Sequence, residues 1–138
     1  MTALVVALGL AACSTGSAAA ALPRCTRAPA GIGPGAAATL QLADNGTTVC
    51  LRRRATLTVF LQAPTGESMW STPTTSKPQV LAPTANGALA LPIGVTGGAF
   101  RSRRHGVATL VAVRAPCVPA TVASCDAAHG WHARVVVH

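Results

Sequence analysis

Apolar and polar positions alternate in short runs from residue 39 to the end of the chain. The clearest run is 56–61. There Leu57, Val59 and Leu61 share one parity, and Thr56, Thr58 and Gln62 share the other. A period of two marks a half-buried strand. Phe60 interrupts the polar parity, as a residue packing at a sheet edge would. Residues 39–42 and 47–51 predict two shorter strands. Between them Asp44-Asn45-Gly46 is a turn signal, because Asn and Gly tolerate positive φ. Arg52-Arg53-Arg54 is a polar break. Residues 63–78 read as a long loop of Pro, Thr, Ser and Gly in which Trp70 turns back into the core. Residues 79–82, 88–95 and 99–102 are short apolar pieces, broken at Asn86-Gly87 and at Gly97-Gly98. Residues 107–113 predict a strand buried through Val107, Val111 and Val113. The last strand, 132–137, buries Ala133, Val135 and Val137, and Trp131 shares their parity. No stretch sustains a period of 3.6. Short strands at this spacing predict an all-β sandwich over residues 39–138.

The first residues follow a different rule. An apolar run at 3–10 is followed by Leu10-Ala11-Ala12-Cys13. A run of this length suits a secretion signal and is too short to span a membrane. The four residues have the form of a lipobox. Residues 1–12 are then a removed signal peptide, and Cys13 is the new N-terminus, carrying a diacylglycerol on its thiol. Stable anchoring takes two acyl chains. No Lys or Arg precedes the run, which suits a translation start upstream of Met1. Two rivals stand beside this reading: a secreted soluble chain cut near 17–21, and a chance cysteine behind a short apolar N-terminus. Residues 14–38 are rich in Ala, Gly, Pro, Ser and Thr and read as a tether. A flexible coil of its first eleven or so residues would reach about 18 Å. The expected location is the outer face of a bacterial cell membrane.

Composition changes the picture in two ways. The chain is 50% hydrophobic and only 10% charged, with a formal charge of +8. Export argues against nucleic acid as the partner of that charge. Anionic lipid or an envelope polymer fits better. Arg52-Arg53-Arg54 and Arg101-Ser102-Arg103-Arg104-His105 are the two basic clusters, and they form one patch only if the fold brings them together. Beyond Cys13 four cysteines remain, an even number in an exported domain, so two disulfides are expected. Three connectivities are open. Cys117 with Cys125 closes the shortest loop, which leaves Cys25 with Cys50 by elimination.

The order of strands and loops from 43 to 137 resembles the chagasin-type immunoglobulin-like domain, a family of cysteine-protease inhibitors that present three loops at one end of a β-sandwich. The first loop of that family has an Asn-Pro-Thr-Thr-Gly-aromatic pattern before a Trp. Here Pro64, Thr65, Gly66 and Trp70 match it, while the Asn, one Thr and the aromatic are missing. Its second loop is Gly-x-Gly-Gly in type, which Gly94, Gly97 and Gly98 approach with one extra residue. Its third loop carries Arg-Pro-Trp; here Arg114-Ala115-Pro116-Cys117 has a cysteine in place of the Trp. The resemblance implies a sandwich fold and, as one reading, inhibition of a cysteine protease through loops around Gly66 and Gly97-Gly98. The reading set first is a non-catalytic binding or structural domain of the cell envelope, with an envelope protein or a protease as partner.

Catalysis has little to work with. Asp44, Glu67 and Asp126 are the only carboxylates, each in a turn or loop. There is no nucleophile elbow and no phosphate-cradling Gly-Lys motif. No cofactor is expected. Cys117, Cys125, His129 and His132 carry zinc-ligand chemistry, but their spacing matches no compact knuckle and export favours the disulfide. No metal is expected.

Overall fold

A computed structural model describes Cys25 and residues 38–84, 91–117 and 124–138. The signal peptide, Cys13 and all of the expected tether except Cys25 and Ala38 lie outside the described residues. Among the described residues eight strands form two four-stranded sheets. They are β1 (Ala38–Gln41), β2 (Thr48–Leu51), β3 (Thr56–Gln62), β4 (Thr74–Thr75), β5 (Leu81–Pro83), β6 (Val95–Ser102), β7 (Gly106–Val113) and β8 (Gly130–Val137). A short 3-10 turn, Leu42–Asp44, follows β1. One sheet has the order β1-β3-β6-β5 and the other β2-β8-β7-β4. The all-β sandwich read from alternation is the fold observed.

The inner faces meet where alternation places them. Leu57, Val59 and Leu61 of β3 are fully buried and face Leu110, Trp131, Val135 and Val137 of the other sheet within one apolar cluster. Trp131 buries its ring and donates its indole N–H to the carbonyl of Gln41, 3.2 Å away, so the polar end of the ring is satisfied. Trp70 is also buried. Its N–H reaches the Gln62 carbonyl at 3.3 Å.

Three expectations are corrected. Gly97 and Gly98 do not break the chain: β6 runs through both, paired to Phe60 and Val59 of β3. A Cβ on Gly98 would stand 3.2 Å from the Phe100 ring and 3.4 Å from Pro73. These glycines allow close packing inside a sheet. Phe60 lies on a central strand, not at an edge, because β3 has β1 on one side and β6 on the other. On β7 the buried parity is Ala108, Leu110 and Ala112, with Val107 and Val111 only half-buried. Its register with β8 pairs Leu110 with Ala133 and Ala112 with Trp131, so the inward face of β8 fixes the inward face of β7.

Two disulfides join Cys25 to Cys50 and Cys117 to Cys125, with Cα separations of 5.8 and 6.1 Å. The first bridge ties Cys25 to β2. The second closes the base of the loop between β7 and β8.

Candidate functional site

Strand directions gather three connections at one pole of the sandwich. They are the β3–β4 loop from Ala63, the turn that precedes β6, and the β7–β8 loop from Arg114. The first has a tip at Pro64-Thr65-Gly66-Glu67. Glu67 N–H bonds to the Pro64 carbonyl at 3.1 Å, and Gly66 has φ +80°. A positive φ at the third position is the type II turn, which favours glycine there. Space is not the constraint, since a Cβ on Gly66 would meet nothing within 4 Å. Gly66 faces open space.

The second loop repeats the design. In Pro92-Ile93-Gly94-Val95, Val95 N–H bonds to the Pro92 carbonyl at 3.2 Å, and Gly94 has φ +86°. Ile93 occupies the outer corner and is 102% exposed. Gly94 also permits a close approach, because a Cβ would lie 2.7 Å from Gln62 Nε2. That approach lets the Gly94 carbonyl accept from Ala63 N–H at 2.8 Å, which joins the second loop to the first.

Arg114 joins the third loop to the first. Its side chain is 5% exposed, and its guanidinium lies over the Trp70 ring, 5.4 Å from the centroid. Nη1 donates to Glu67 Oε2. Nε and Nη2 donate to the Ala128 carbonyl at 3.1 and 2.6 Å. One buried cation therefore holds the tip of loop one, its Trp70 and the far leg of loop three. Further bonds fix the same legs. Thr96 Oγ1 donates to the Trp70 carbonyl at 2.9 Å, and Ser71 N–H to the Val113 carbonyl at 2.7 Å.

Beyond the Cys117–Cys125 bridge, a hydrogen bond of 2.8 Å joins His129 Nδ1 to Asp126 Oδ1. That bond holds the Asp126 carboxyl below its ordinary range; partial desolvation opposes it, and the His129 charge and the backbone N–H groups of Ala128 and His129 reinforce it. Cys117 and Cys125, considered above as thiolate ligands, are spent in the disulfide. Among the described residues no three His, Cys, Asp or Glu side chains converge on a point that could hold a metal ion.

The pole is apolar at its edge. Met69 of the first loop is 49% exposed, and Leu91 and Ile93 ahead of β6 are exposed as well. From the second loop a shallow groove of about 580 Å³ runs over the outer face of β1, β3 and β6, lined by Leu42, Phe60, Gln62 and Val95 among others. Of the residues expected at the site, Pro64, Thr65, Gly66, Gly94 and Arg114 come together. Gly97 and Gly98 stand apart from them, inside β6. Sequence reasoning missed Met69 and Ile93, and it missed the buried role of Arg114.

No protein-family model matches this chain, and no curated protein matches its sequence. Its fold is shared with the crystal structure of the cysteine protease inhibitor EhICP2 from Entamoeba histolytica. The TM-score is 0.55 at 10% sequence identity, over 74% of this chain and 95% of that one. The solution structure of amebosin aligns over 77% of this chain and all of its own, with a TM-score of 0.45 and 22% identity.

Proposed function

We propose that this chain inhibits cysteine proteases by inserting its three-loop pole into an active-site cleft, and that it acts from the outer face of a bacterial cell membrane, held there through acylated Cys13. The reading is non-catalytic. The observation that carries it is the pole itself: two turn tips joined by the Ala63–Gly94 bond, a third loop tied to the first by buried Arg114, and Ile93 wholly in water.

Each feature serves a wedge. Binding a cleft costs conformational entropy unless the binding loops are already fixed, and here Arg114 and the Ala63–Gly94 bond fix them in advance. Affinity needs an apolar anchor that loses its water on contact, which Ile93 and Met69 supply. Full burial of a side chain such as Ile93 is worth about 1.5–3 kcal/mol. A purely structural envelope domain would leave that side chain in water with nothing to cover it. The target class rests on the fold shared with EhICP2, whose name states inhibition of a cysteine protease.

Titration of papain with the purified protein tests the inhibitory reading. The expected result is competitive, saturable inhibition with the inhibitor recovered uncut. Absence of inhibition at about 10 µM protein, where a micromolar Kd would register, overturns it. Anchoring has a separate measurement. Palmitate fed to cells expressing the chain should label it, and Cys13→Ala should abolish the label and release the protein from the membrane fraction. Retention of either by the variant defeats the lipobox reading.

A further inference from the structure

The pole opposite the loops is built from cations. The turn from β2 to β3 carries Arg52, Arg53 and Arg54, and the end of β6 and its hairpin to β7 carry Arg101, Arg103 and Arg104; all six are exposed. Far apart in sequence, the two clusters meet in the fold. Arg54 N–H bonds to the Ser102 carbonyl at 2.9 Å, and Thr56 pairs with Arg101 across β3 and β6. Arg53 Nε reaches the Arg103 carbonyl at 3.4 Å. Buried Ser102 is the pin between them. Its hydroxyl donates to the Arg52 carbonyl at 2.6 Å and accepts from Ala55 N–H at 2.9 Å. Exposed Lys77 joins the group, since Arg103 N–H bonds to Val80 and Val80 N–H bonds back to Lys77, at 2.8 and 3.0 Å.

The acids are elsewhere. Glu67 and Asp126 belong to the loop pole, and Asp44 ends the 3-10 turn at the loop-pole end of β1. The chain has no other carboxylate side chain. None of the seven cations takes part in an ion pair among the described residues. Eight-residue β7 sets the two poles about 25 Å apart. The domain is therefore charged along its long axis, with a basic end and an apolar, acid-bearing end.

We propose that the basic pole is a docking surface for an anionic phospholipid membrane. Charge alone would also suit a soluble polyanion. The position of the N-terminal segment decides between them. Cys25 is bonded to Cys50, two residues before Arg52, which fixes Cys25 beside the basic pole. Cys25 follows Cys13 by twelve positions. Twelve residues reach no more than about 43 Å in any conformation. A bilayer holding Cys13 would thus lie within reach of the arginines, and docking of that pole points the loops outward. Phosphate headgroups suit arginine, whose guanidinium forms paired hydrogen bonds to phosphate oxygens. The orientation gains its use from the inhibitory reading, but the surface is tested without it.

The test uses the mature chain, residues 13–138, carrying Cys13→Ser, so that neither an acyl chain nor the apolar run at 3–10 contributes, in co-sedimentation with vesicles at physiological salt. Vesicles of phosphatidylcholine containing phosphatidylglycerol should bind it, and vesicles of phosphatidylcholine alone should not. A basic residue near an anionic surface strengthens binding by about fivefold. The variant R52Q/R53Q/R103Q/R104Q should bind at least about 30-fold more weakly. A charge-matched control, R134E/T39E/T74E, makes the same change in net charge at exposed positions away from the pole and should keep most of the binding. Raised salt should weaken binding by screening. Melting temperature and papain inhibition of both variants report folding and the loop pole, and neither should change. Equal loss in the quadruple variant and the control, or equal binding to both vesicle types, overturns the proposal. So does tight binding of inorganic polyphosphate without binding to the anionic vesicles.

Discussion

Arg114→Ala should lower the unfolding free energy by about 2–4 kcal/mol and weaken papain inhibition more than about 100-fold. The stability loss has identifiable parts. The guanidinium makes two bonds to the Ala128 carbonyl, and a hydrogen bond to a charged group is worth about 1.5–3 kcal/mol. Stacking over Trp70 adds about 0.5–1 kcal/mol. The bond to Glu67 adds little, because the Glu67 side chain is 51% exposed and an ion pair open to water is worth at most about 1 kcal/mol. Urea denaturation measures the change as a lower midpoint with an unchanged slope. The larger effect on inhibition comes from geometry, since the alanine variant leaves loops one and three without their shared anchor. Arg114→Lys separates packing from geometry. A single ammonium cannot lie flat on Trp70 while reaching both Glu67 and Ala128. The lysine variant should recover part of the stability and little of the inhibition. Stability within 0.5 kcal/mol of the parent in Arg114→Ala would show that Arg114 does not hold the loops together.

The parts of this architecture that could be read in advance are those set by short-range pattern. Alternation at Leu57, Val59 and Leu61 needs only one buried face to be visible, and the parity of Trp131 with Ala133 follows from the same rule. The failures arise where a residue type fits two environments. Val107 and Val111 suit either face of a sheet, so only the pairing of β7 with β8 reveals which face is inward. Gly97-Gly98 carries the composition of a turn, yet the chain uses it for contact with Leu91, Phe100 and Pro73. The same misreading moved the second candidate loop along the chain, away from Ile93.

The site was legible in its backbone and not in its side chains. Gly66 and Gly94 announce their turns because positive φ belongs to glycine. Arg114 gave no local sign of burial, since arginine is ordinarily at the surface and the groups that satisfy it lie 14 and 47 residues away. The joining of Arg52–Arg54 to Arg101–Arg104 likewise depends on the register of β3 against β6, a non-local fact. That register decides whether six arginines are two solvated turns or one surface.

Ile93→Asp should weaken papain inhibition by roughly 10²–10³-fold while leaving stability within about 0.5 kcal/mol of the parent. The two halves of this expectation follow from one number. At 102% exposure Ile93 has no packing to lose, so the folded chain is indifferent to its replacement. The outer corner of its turn accepts most residues, and the positive φ belongs to Gly94, which is untouched. In a protease cleft the balance reverses. The parent gains the burial of an apolar side chain, and the variant must strip water from a carboxylate. Ile93→Leu keeps the apolar volume and should stay within a few-fold of the parent. Inhibition constants against papain, with thermal melts of the same preparations, provide both readings. An aspartate variant that inhibits as well as the parent would put Ile93 outside the contact and leave the first and third loops as the wedge. Loss of inhibition with an unchanged melt would make the exposed isoleucine the anchor of the complex, a role that its environment in the free protein gives it no other reason to have.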